Sequence, residues 1–483
     1  MIAAIVVVPI VAGLLCYLAP RRAEALVTSV AAAIAFASAA AVAVFRDAPD
    51  ESVRWLVQPF TAAFHFGLGP GPGTWIALML GLVAGCALAV TRVPRRRDFV
   101  AQMLVLLGAM MGVFLARDLL TFALFWDLQL VPVFLILVGW APEGKSGSAW
   151  RYLVYNLSGG LALLLATAAY GMLVGTTDVL GSASAPAPAA LQGAALWWVF
   201  AGLGFAFLIK TPVWPFHTWM PDTYADLPAP AAAVVSAVQS KGGLYGFIVI
   251  ATVLLPGPMH AIAPLMFALG LIGLVYGACV ALVLDDAKRV VAYSSLSHLG
   301  LILVAIFTFN PLALGGAIVY VVAHGLFSAG LFITLGEVEL REETRFLSRL
   351  GGLGERNPKL AGALTIMVLA ALGLPGLAGF AGEILILTGV YQAGYPAIAA
   401  LSLVPIVLAA AYMVRVLQAT MHGPEIPDLP QREDMTVLEL AAFAPLVVAV
   451  LLLGIAPGAV ARSANAIAAS PAVATLSLRA ARR

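Results

Sequence analysis

Residues 194–220 read AALWWVFAGLGFAFLIKTPVWPFHTWM, an apolar run long enough to cross a bilayer as a helix. Its one charged residue, Lys210, has about sixteen residues of the run before it and about ten after it. At about 1.5 Å per residue, Lys210 lies roughly 15–20 Å from either boundary, farther than a lysine side chain can reach. The amine must therefore stay inside the membrane, where Pro212 and Pro215 interrupt the helix beside it.

The composition of the whole chain agrees with this segment. Of its 483 residues, 62% are hydrophobic and 10% are charged, whereas soluble domains carry about 25% charged residues. In a bilayer the backbone must form helices or a closed barrel, and long apolar runs without alternation favour helices. The net charge is only +2, so nothing indicates nucleic acid as a partner. The sequence predicts an all-α polytopic protein in a lipid bilayer.

Hydropathy predicts about fourteen transmembrane helices, numbered here in chain order. The first has no basic residue before it and no small-residue cleavage site, so we expect a retained helix rather than a signal peptide. The predicted segments are 1–18, 25–44, 75–91, 99–116, 119–138, 150–174, 194–220, 228–255, 263–284, 290–309, 312–335, 360–391, 396–420 and 437–458.

Basic residues are unevenly distributed between the connections. Sixteen of the 26 Lys and Arg follow odd-numbered helices, and seven lie in connections after even-numbered helices or in the tail. Cytoplasmic connections carry the excess of positive charge. We therefore expect a multi-pass protein of the bacterial inner membrane, with both termini on the non-cytoplasmic side.

Two predicted helices are interrupted, and polar positions suggest a repeat. Helix 7 breaks at residues 211–215 and helix 12 at 373–379. Paired breaks are typical of the transport site of inverted-repeat transporters, although a kink that only shapes packing is the alternative. Midspan polar residues recur at offsets of 171 to 174 residues: Asp127 with His298, Lys210 with Glu383, and Lys241 with Arg415.

An offset of five helices makes the two copies inverted across the membrane. The predicted organisation is helices 1–3 in residues 1–98, a first repeat of helices 4–8 in 99–258, a second repeat of helices 9–13 in 259–422, and a linker, helix 14 and tail in 423–483.

Asp127, Lys210 and Lys241 are the strongest candidates for function. Each costs about 2.5–3.5 kcal/mol to insert at the bilayer centre. A structural salt bridge is the alternative, but buried pairs add little stability and two lysines against one acid leave a charge unmatched. Burial favours the neutral amine and a nearby carboxylate favours the ammonium, so the set suits proton relay.

Further candidates are Glu383, His298 and His324 in the second half, and His217 beside the break in helix 7. Glu383 follows the break in helix 12 and suits a proton carrier, unless it only binds freed backbone amides. Histidine titrates near neutrality, although a single buried histidine is often only a satisfied core residue. Arg415 lies nearer a span end, within reach of a lipid headgroup. The histidines lack paired ligand spacing, which argues against a metal site.

Five motifs in this order resemble the antiporter-like membrane subunits of proton-pumping NADH:quinone oxidoreductase, especially those of the subunit M type. The resemblance covers about residues 75–456. The motifs are FWDLQLVP (Phe125–Pro132), FLIKTPVWPFHTWMPD (Phe207–Asp222), AYSSLSHLG (Ala292–Gly300), AHGLFSAGLF (Ala323–Phe332) and LGLPGLAGFAGEIL (Leu372–Leu385).

The resemblance implies a role for each matching residue. Lys210 and Lys241 match the lysines of helices 7 and 8, and His298 and His324 match the central histidines. Glu383 matches the terminal site of helix 12, which is glutamate in the subunit M type and lysine in its relatives. Asp127 departs from the family's glutamate: because it is one methylene shorter, it must lie closer to Lys210 or act through a water.

The resemblance also implies the partners and the place of the redox chemistry. Cys16, Cys86 and Cys279 stand alone, so no cofactor is expected in this chain. Partner subunits of the membrane arm and beyond would carry FMN, iron–sulfur clusters and the quinone site, and this chain would move H⁺ as one subunit of the translocase. A subunit of a multisubunit Na⁺/H⁺ antiporter or membrane-bound hydrogenase is the alternative, and a passive membrane scaffold is a further one.

Overall fold

A computed structural model describes residues 1–69, 71–142, 144, 146–178, 191–422 and 433–465. A helix lies over each predicted segment, so the all-α polytopic fold is confirmed. The helices are α1 Ile2–Cys16, α2 Glu24–Val44, α3 Pro72–Ala89, α4 Arg96–Leu115, α5 Leu119–Trp140, α6 Ser146–Val174, α7 Gly193–Lys210, α8 Ala229–Leu254, α9 Ala263–Val283, α10 Ala287–Phe307, α11 Pro311–Glu342, α12a Pro358–Ala371, α12b Ala378–Gln392, α13 Pro396–Leu417 and α14 Val437–Ile455.

Twelve helices in the described part of the chain are long and apolar enough to cross a membrane, and Ile2–Cys16 and Pro358–Ala371 are shorter apolar helices. The exact number of spans and the inverted repeat stay predictions. Most of the predicted linker and the tail lie outside the described residues. So do five basic residues used to predict the orientation: Lys145, Arg432, Arg479, Arg482 and Arg483.

The connections gather in two groups. A hairpin that the sequence analysis did not predict, β1 Glu51–Leu56 and β2 Ala62–Phe66, follows α2. It bridges to the connections after α4 and α6. The connections after α9 and α11 also bridge to each other, and Arg92 after α3 pairs with Glu439 at the start of α14. Connections that follow even-numbered helices thus lie together, and so do connections that follow odd-numbered helices. A chain that crosses the membrane repeatedly requires this arrangement.

The central helices are α8, α10 and α11, in which nearly every residue is buried. In α13 and α14 most residues are at least partly exposed, and side chains such as Val407 and Leu452 are apolar. This arrangement leaves the apolar outer surface to lipid. It places Lys241, His298 and His324 inside protein rather than at the lipid boundary.

Both predicted interruptions are present. α7 ends at Lys210, and turns lead to a short helix, Met220–Asp226. α12a and α12b are separated by a stretch in which Gly373 has φ +75° and Gly376 has φ +92°, a backbone conformation that favours glycine. A third irregularity was not predicted: two π-helical turns, Val235–Gln239 and Gly246–Ala251, flank Lys241 in α8. Such turns often occur at functional sites.

The orientation can be tested with single cysteines in a background without Cys16, Cys86 and Cys279. Ser348 is exposed in the connection after the odd-numbered helix α11, and Val53 is exposed in β1, in the connection after the even-numbered helix α2. The two residues are therefore expected on opposite sides of the membrane. We expect an impermeant thiol reagent to label Val53→Cys but not Ser348→Cys in intact cells, and both after permeabilisation. Labelling of Ser348→Cys alone from outside would reverse the orientation.

Candidate functional site

Lys210 lies at the carboxyl end of α7 and is almost fully buried. Its Nζ donates to Oδ1 of Asn156 on α6 at 3.3 Å and lies 5.2 Å from the centre of the Trp126 ring. The negative end of a helix dipole and an aromatic face both favour a cation. The end of α7 is therefore built to hold an ammonium without a direct carboxylate partner.

Asp127 lies on α5 two residues before the irregular turn at Gln129. Among the described residues, Asp127 makes no ion pair and its Oδ1 has no hydrogen-bond partner. That oxygen faces Gly160 of α6, where an added Cβ would overlap it. The structure shows no hydrogen bond or ion pair between Asp127 and Lys210, whose amine instead donates to Asn156. Of the two predicted arrangements, the closer approach is not seen.

Lys241 is fully buried in α8, between the two π-helical turns. Its Nζ donates to the Ser236 carbonyl at 2.5 Å and to Ser240 Oγ at 3.4 Å, and lies 2.7 Å from Nδ1 of His324. An ammonium has three donors, and these three partners match that number. This contact joins Lys241 to one of the two central histidines that the sequence proposed as candidates.

Two histidines continue from Lys241 across the centre of the molecule. The rings of His324 and His298 have centroids 5.5 Å apart. In the described part of the chain, neither nitrogen of His298 has a hydrogen-bond partner, and Nε2 of His324 also lacks one. An unsatisfied buried polar group costs about 1–3 kcal/mol, so packing alone does not account for these histidines.

Glu383 ends the line of polar groups. Its Oε1 accepts a hydrogen bond from the Tyr320 hydroxyl at 2.6 Å, and its other oxygen faces Gly373 in the break of α12. The rings of Tyr320 and His298 have centroids 5.6 Å apart. Buried titratable side chains therefore lie next to one another from Lys241 to Glu383.

The helices that carry Lys210 and Lys241, α7 and α8, pack closely against each other. An added Cβ at Gly243 would overlap Thr211 and the Phe207 carbonyl, so glycine permits this approach. An added Cβ at Gly242 would lie 4.0 Å from Cγ of Lys210. The backbone at Gly242, next to Lys241, therefore lies near the side chain of Lys210.

Two candidates lie elsewhere. The His217 ring packs edge-on against Tyr276 of α9, with centroids 5.3 Å apart, and no contact among the described residues joins it to the other candidates. Arg415 donates to the carbonyls of Leu282 and Leu284 at the end of α9. This contact caps a helix terminus, in place of the predicted reach to a lipid headgroup.

Sequence reasoning missed Asn156, Tyr320 and the hydroxyl pair Ser236–Ser328, whose oxygens are 3.1 Å apart. One signal was available: Tyr320, His324 and Ser328 are spaced four residues apart, which places them on one face of α11. Asn156 gave only a weak signal, because one amide in an apolar helix is not unusual.

A helical membrane fold with broken helices beside buried charges defines the class of antiporter-like membrane proteins. The chain belongs to the NADH:quinone oxidoreductase/Mrp antiporter transmembrane family, whose model matches residues 116–409. It is 35% identical to NADH-quinone oxidoreductase subunit M of Rhodobacter capsulatus over 76% of this chain and 73% of that protein. It is 30% identical to NAD(P)H-quinone oxidoreductase chain 4 1 of a Nostoc species, over 94% of this chain and 88% of that protein.

Solved structures show the same fold. A chain of respiratory complex I from Thermus thermophilus matches with a TM-score of 0.87 and 29% identity, over 99% of both chains. A chain of the Mrp complex from Dietzia matches with a TM-score of 0.84 and 20% identity, over 99% of this chain and 98% of that one. The second similarity is one of fold alone. The predicted family resemblance is therefore confirmed.

The close approach of Asp127 to Gly160 predicts the effect of adding one methyl group at residue 160. Gly160→Ala should displace the Asp127 carboxylate and lower proton pumping by about tenfold or more, because small misplacements of reacting groups are costly. Gly159→Ala is the control, since an added Cβ there makes only ordinary contacts of 3.4 Å or more. Pumping is measured on the assembled complex in vesicles. Equal effects of the two substitutions would contradict this geometry.

Proposed function

We propose that this chain carries protons across the membrane as a membrane-arm subunit of NADH:quinone oxidoreductase. One observation carries the proposal: the buried titratable groups that lie next to one another from Lys241 through His324, His298 and Tyr320 to Glu383. The names of the relatives support the assignment to this enzyme. The passive-scaffold alternative leaves the cost of these buried groups unexplained.

The central transfer takes place between Lys241 and His324. When the lysine is protonated, it donates to Nδ1 of His324; when the proton has moved, the Nδ1–H donates back to the neutral amine. The carbonyl of Ser236 and the hydroxyl of Ser240 hold Nζ in place in both states. The proton can therefore move along one hydrogen bond without displacing the lysine.

From His324 the proton passes to His298 and on to Glu383. Neither ring nitrogen of His298 has a hydrogen-bond partner in the described part of the chain. Neutral His298 accepts the proton at its unprotonated nitrogen and releases a proton from the other nitrogen. The Tyr320 ring packs against the His298 ring, and its hydroxyl donates to Glu383. Tyr320 thus connects the histidines to the carboxylate. Glu383 is the terminal acceptor, beside the backbone break of α12.

The Asp127–Lys210 pair sets the charge state of the first half. A carboxylate near Lys210 stabilises the ammonium, and withdrawal of that carboxylate favours proton release toward Lys241. Asn156 and Trp126 hold the amine at the end of α7 in the meantime. The missing direct contact makes this pair easy to switch, since no strong ion pair has to be broken.

Redox chemistry in partner subunits, which carry FMN, iron–sulfur clusters and the quinone site, drives these changes. The chain lies in the bacterial inner membrane with both termini on the non-cytoplasmic side. Purification of the native assembly tests this assignment against an antiporter or hydrogenase subunit. Co-purification of flavin and NADH dehydrogenase activity supports it, and a stable complex without them contradicts it.

Lys210→Ala should lower proton pumping by about 100-fold or more, the scale of a lost proton-transfer group. Quinone reductase activity should fall with it, because the two processes are coupled. Lys210→Arg should restore only part of the activity, since arginine keeps the charge but does not release its proton. Both are measured on assembled complex in proteoliposomes. Wild-type pumping by Lys210→Ala would remove Lys210 from the path.

Glu383→Gln should block pumping, because an amide keeps the shape but cannot exchange a proton. Glu383→Asp and Glu383→Lys should each retain part of it, since both side chains can carry a proton. Tyr320→Phe leaves Glu383 able to titrate but removes the hydroxyl that connects it to the histidines, so it should also slow pumping. If Gln pumps normally, or if Lys and Gln fail equally in assembled complex, Glu383 is not the exit group.

A further inference from the structure

We propose that Asp222 is a positioning residue for Lys210, acting through residues 211–228, here called the break segment. This inference rests on the proposed function of Lys210. The break segment begins directly after Lys210 and contains the short helix Met220–Asp226. Ion pairs at its far end fasten it to elements of both predicted repeats.

Asp222 binds two arginines from different helices. Its Oδ1 forms an ion pair with Nη2 of Arg289 on α10 at 2.8 Å, and its Oδ2 accepts a hydrogen bond from Nη1 of Arg151 on α6. Both carboxylate oxygens are therefore engaged. Because α6 belongs to the first predicted repeat and α10 to the second, this carboxylate joins the two halves of the chain.

A second anchor lies one helical turn farther along. Arg345, in the connection after α11, lies 3.6 Å from Oδ1 of Asp226 and donates to the Ala225 carbonyl at 2.6 Å. The same guanidinium pairs with Asp286 at 2.9 Å, and Asp286 in turn caps the amino end of α10. The end of the break segment is thus fixed to the start of α10 at two points.

The other end of the break segment holds the terminus of α7. Nε1 of Trp219 donates to the Ile209 carbonyl at 3.0 Å, one of the carbonyls that a helix terminus leaves without an intrahelical partner. Trp219 is fully buried and lies three residues before Asp222. A shift of Asp222 is therefore carried by the short helix to the carbonyl that immediately precedes Lys210.

The break segment also contacts the partner of the Lys210 amine. The ring of Trp219 packs against Tyr152 of α6, with centroids 5.7 Å apart. The Tyr152 carbonyl accepts from Asn156, and Asn156 accepts from Lys210. Trp219 therefore contacts the backbone next to Lys210 through the Ile209 carbonyl. Through Tyr152 it is also linked to Asn156, the hydrogen-bond partner of Lys210.

The expected effect is moderate. Asp222 is about a quarter exposed, and ion pairs of this kind contribute little to stability. Removal of its charge leaves the chain folded but places Arg151 and Arg289 beside the break segment without their shared partner. The segment then gains freedom, and the end of α7 loses its fixed position.

The test compares Asp222→Asn and Asp222→Glu with the control Asp98→Asn in the complete complex. Asp98 pairs with Arg97 at 2.7 Å, is exposed to a similar degree and lies on α4, away from the break segment. Two quantities are measured: the rate of proton pumping per assembled complex, and amide hydrogen exchange in residues 209–224. We expect Asn to raise exchange several-fold and lower the pumping rate, Glu to restore both, and the control to change neither.

Three outcomes would overturn the inference: Asn leaves the exchange unchanged, Asn raises exchange but keeps the pumping rate, or Glu fails to restore the pumping rate in assembled complex. If Asp222→Asn prevents assembly, Arg289→Gln removes one of the two ion pairs of Asp222 and must reproduce the lowered pumping rate. Lys210→Ala, measured alongside, separates the two hypotheses. Wild-type pumping by Lys210→Ala would contradict the proposed function. If Lys210→Ala lowers pumping but Asp222→Asn does not, only this inference is contradicted.

Discussion

The burial of ionisable side chains in an apolar interior is the constraint on which this structure depends. A buried ionisable group without polar partners raises the free energy of the folded state. Lys241 finds a carbonyl, a hydroxyl and an imidazole. Lys210 finds an amide and an aromatic face. None of these partners is a carboxylate in contact, so the charges are held without being locked into ion pairs.

The irregular backbone supplies part of this stabilisation. Helix α7 ends at Lys210, π-helical turns flank Lys241, and Glu383 follows the gap between α12a and α12b. Interruptions of this kind are tolerated at membrane depth only where protein or a polar cavity surrounds them. The π-helical turns of α8 lie in the most buried part of the bundle, whereas Leu374, Pro375 and Gly376 in the gap of α12 are exposed on this chain. Each irregularity nevertheless adjoins a buried titratable side chain, which is Lys210, Lys241 or Glu383.

Direct ion pairs occur elsewhere, at the ends of the helices. Arg341 pairs with Glu337 near the end of α11, Arg345 pairs with Asp286, and Asp222 pairs with Arg289. The last two pairs lie at the connections after odd-numbered helices, which the distribution of basic residues predicts to be cytoplasmic. The protein thus separates two uses of charge. Paired charges at one end of the bundle hold helices together, and unpaired or weakly paired charges in the centre remain able to exchange protons.

Composition and hydropathy alone determined the fold class, the helix positions and the main candidates. The interruptions at Pro212 and Gly373 were also evident, because proline and glycine act on the local backbone. The sequence could not show that Asp127 faces Gly160 instead of contacting Lys210, or that Arg415 caps α9 and His217 packs on Tyr276. These facts depend on how distant helices pack. A residue's insertion cost is set by its own chemistry, whereas its partner is set by side chains that come from elsewhere in the chain and meet only in the folded bundle.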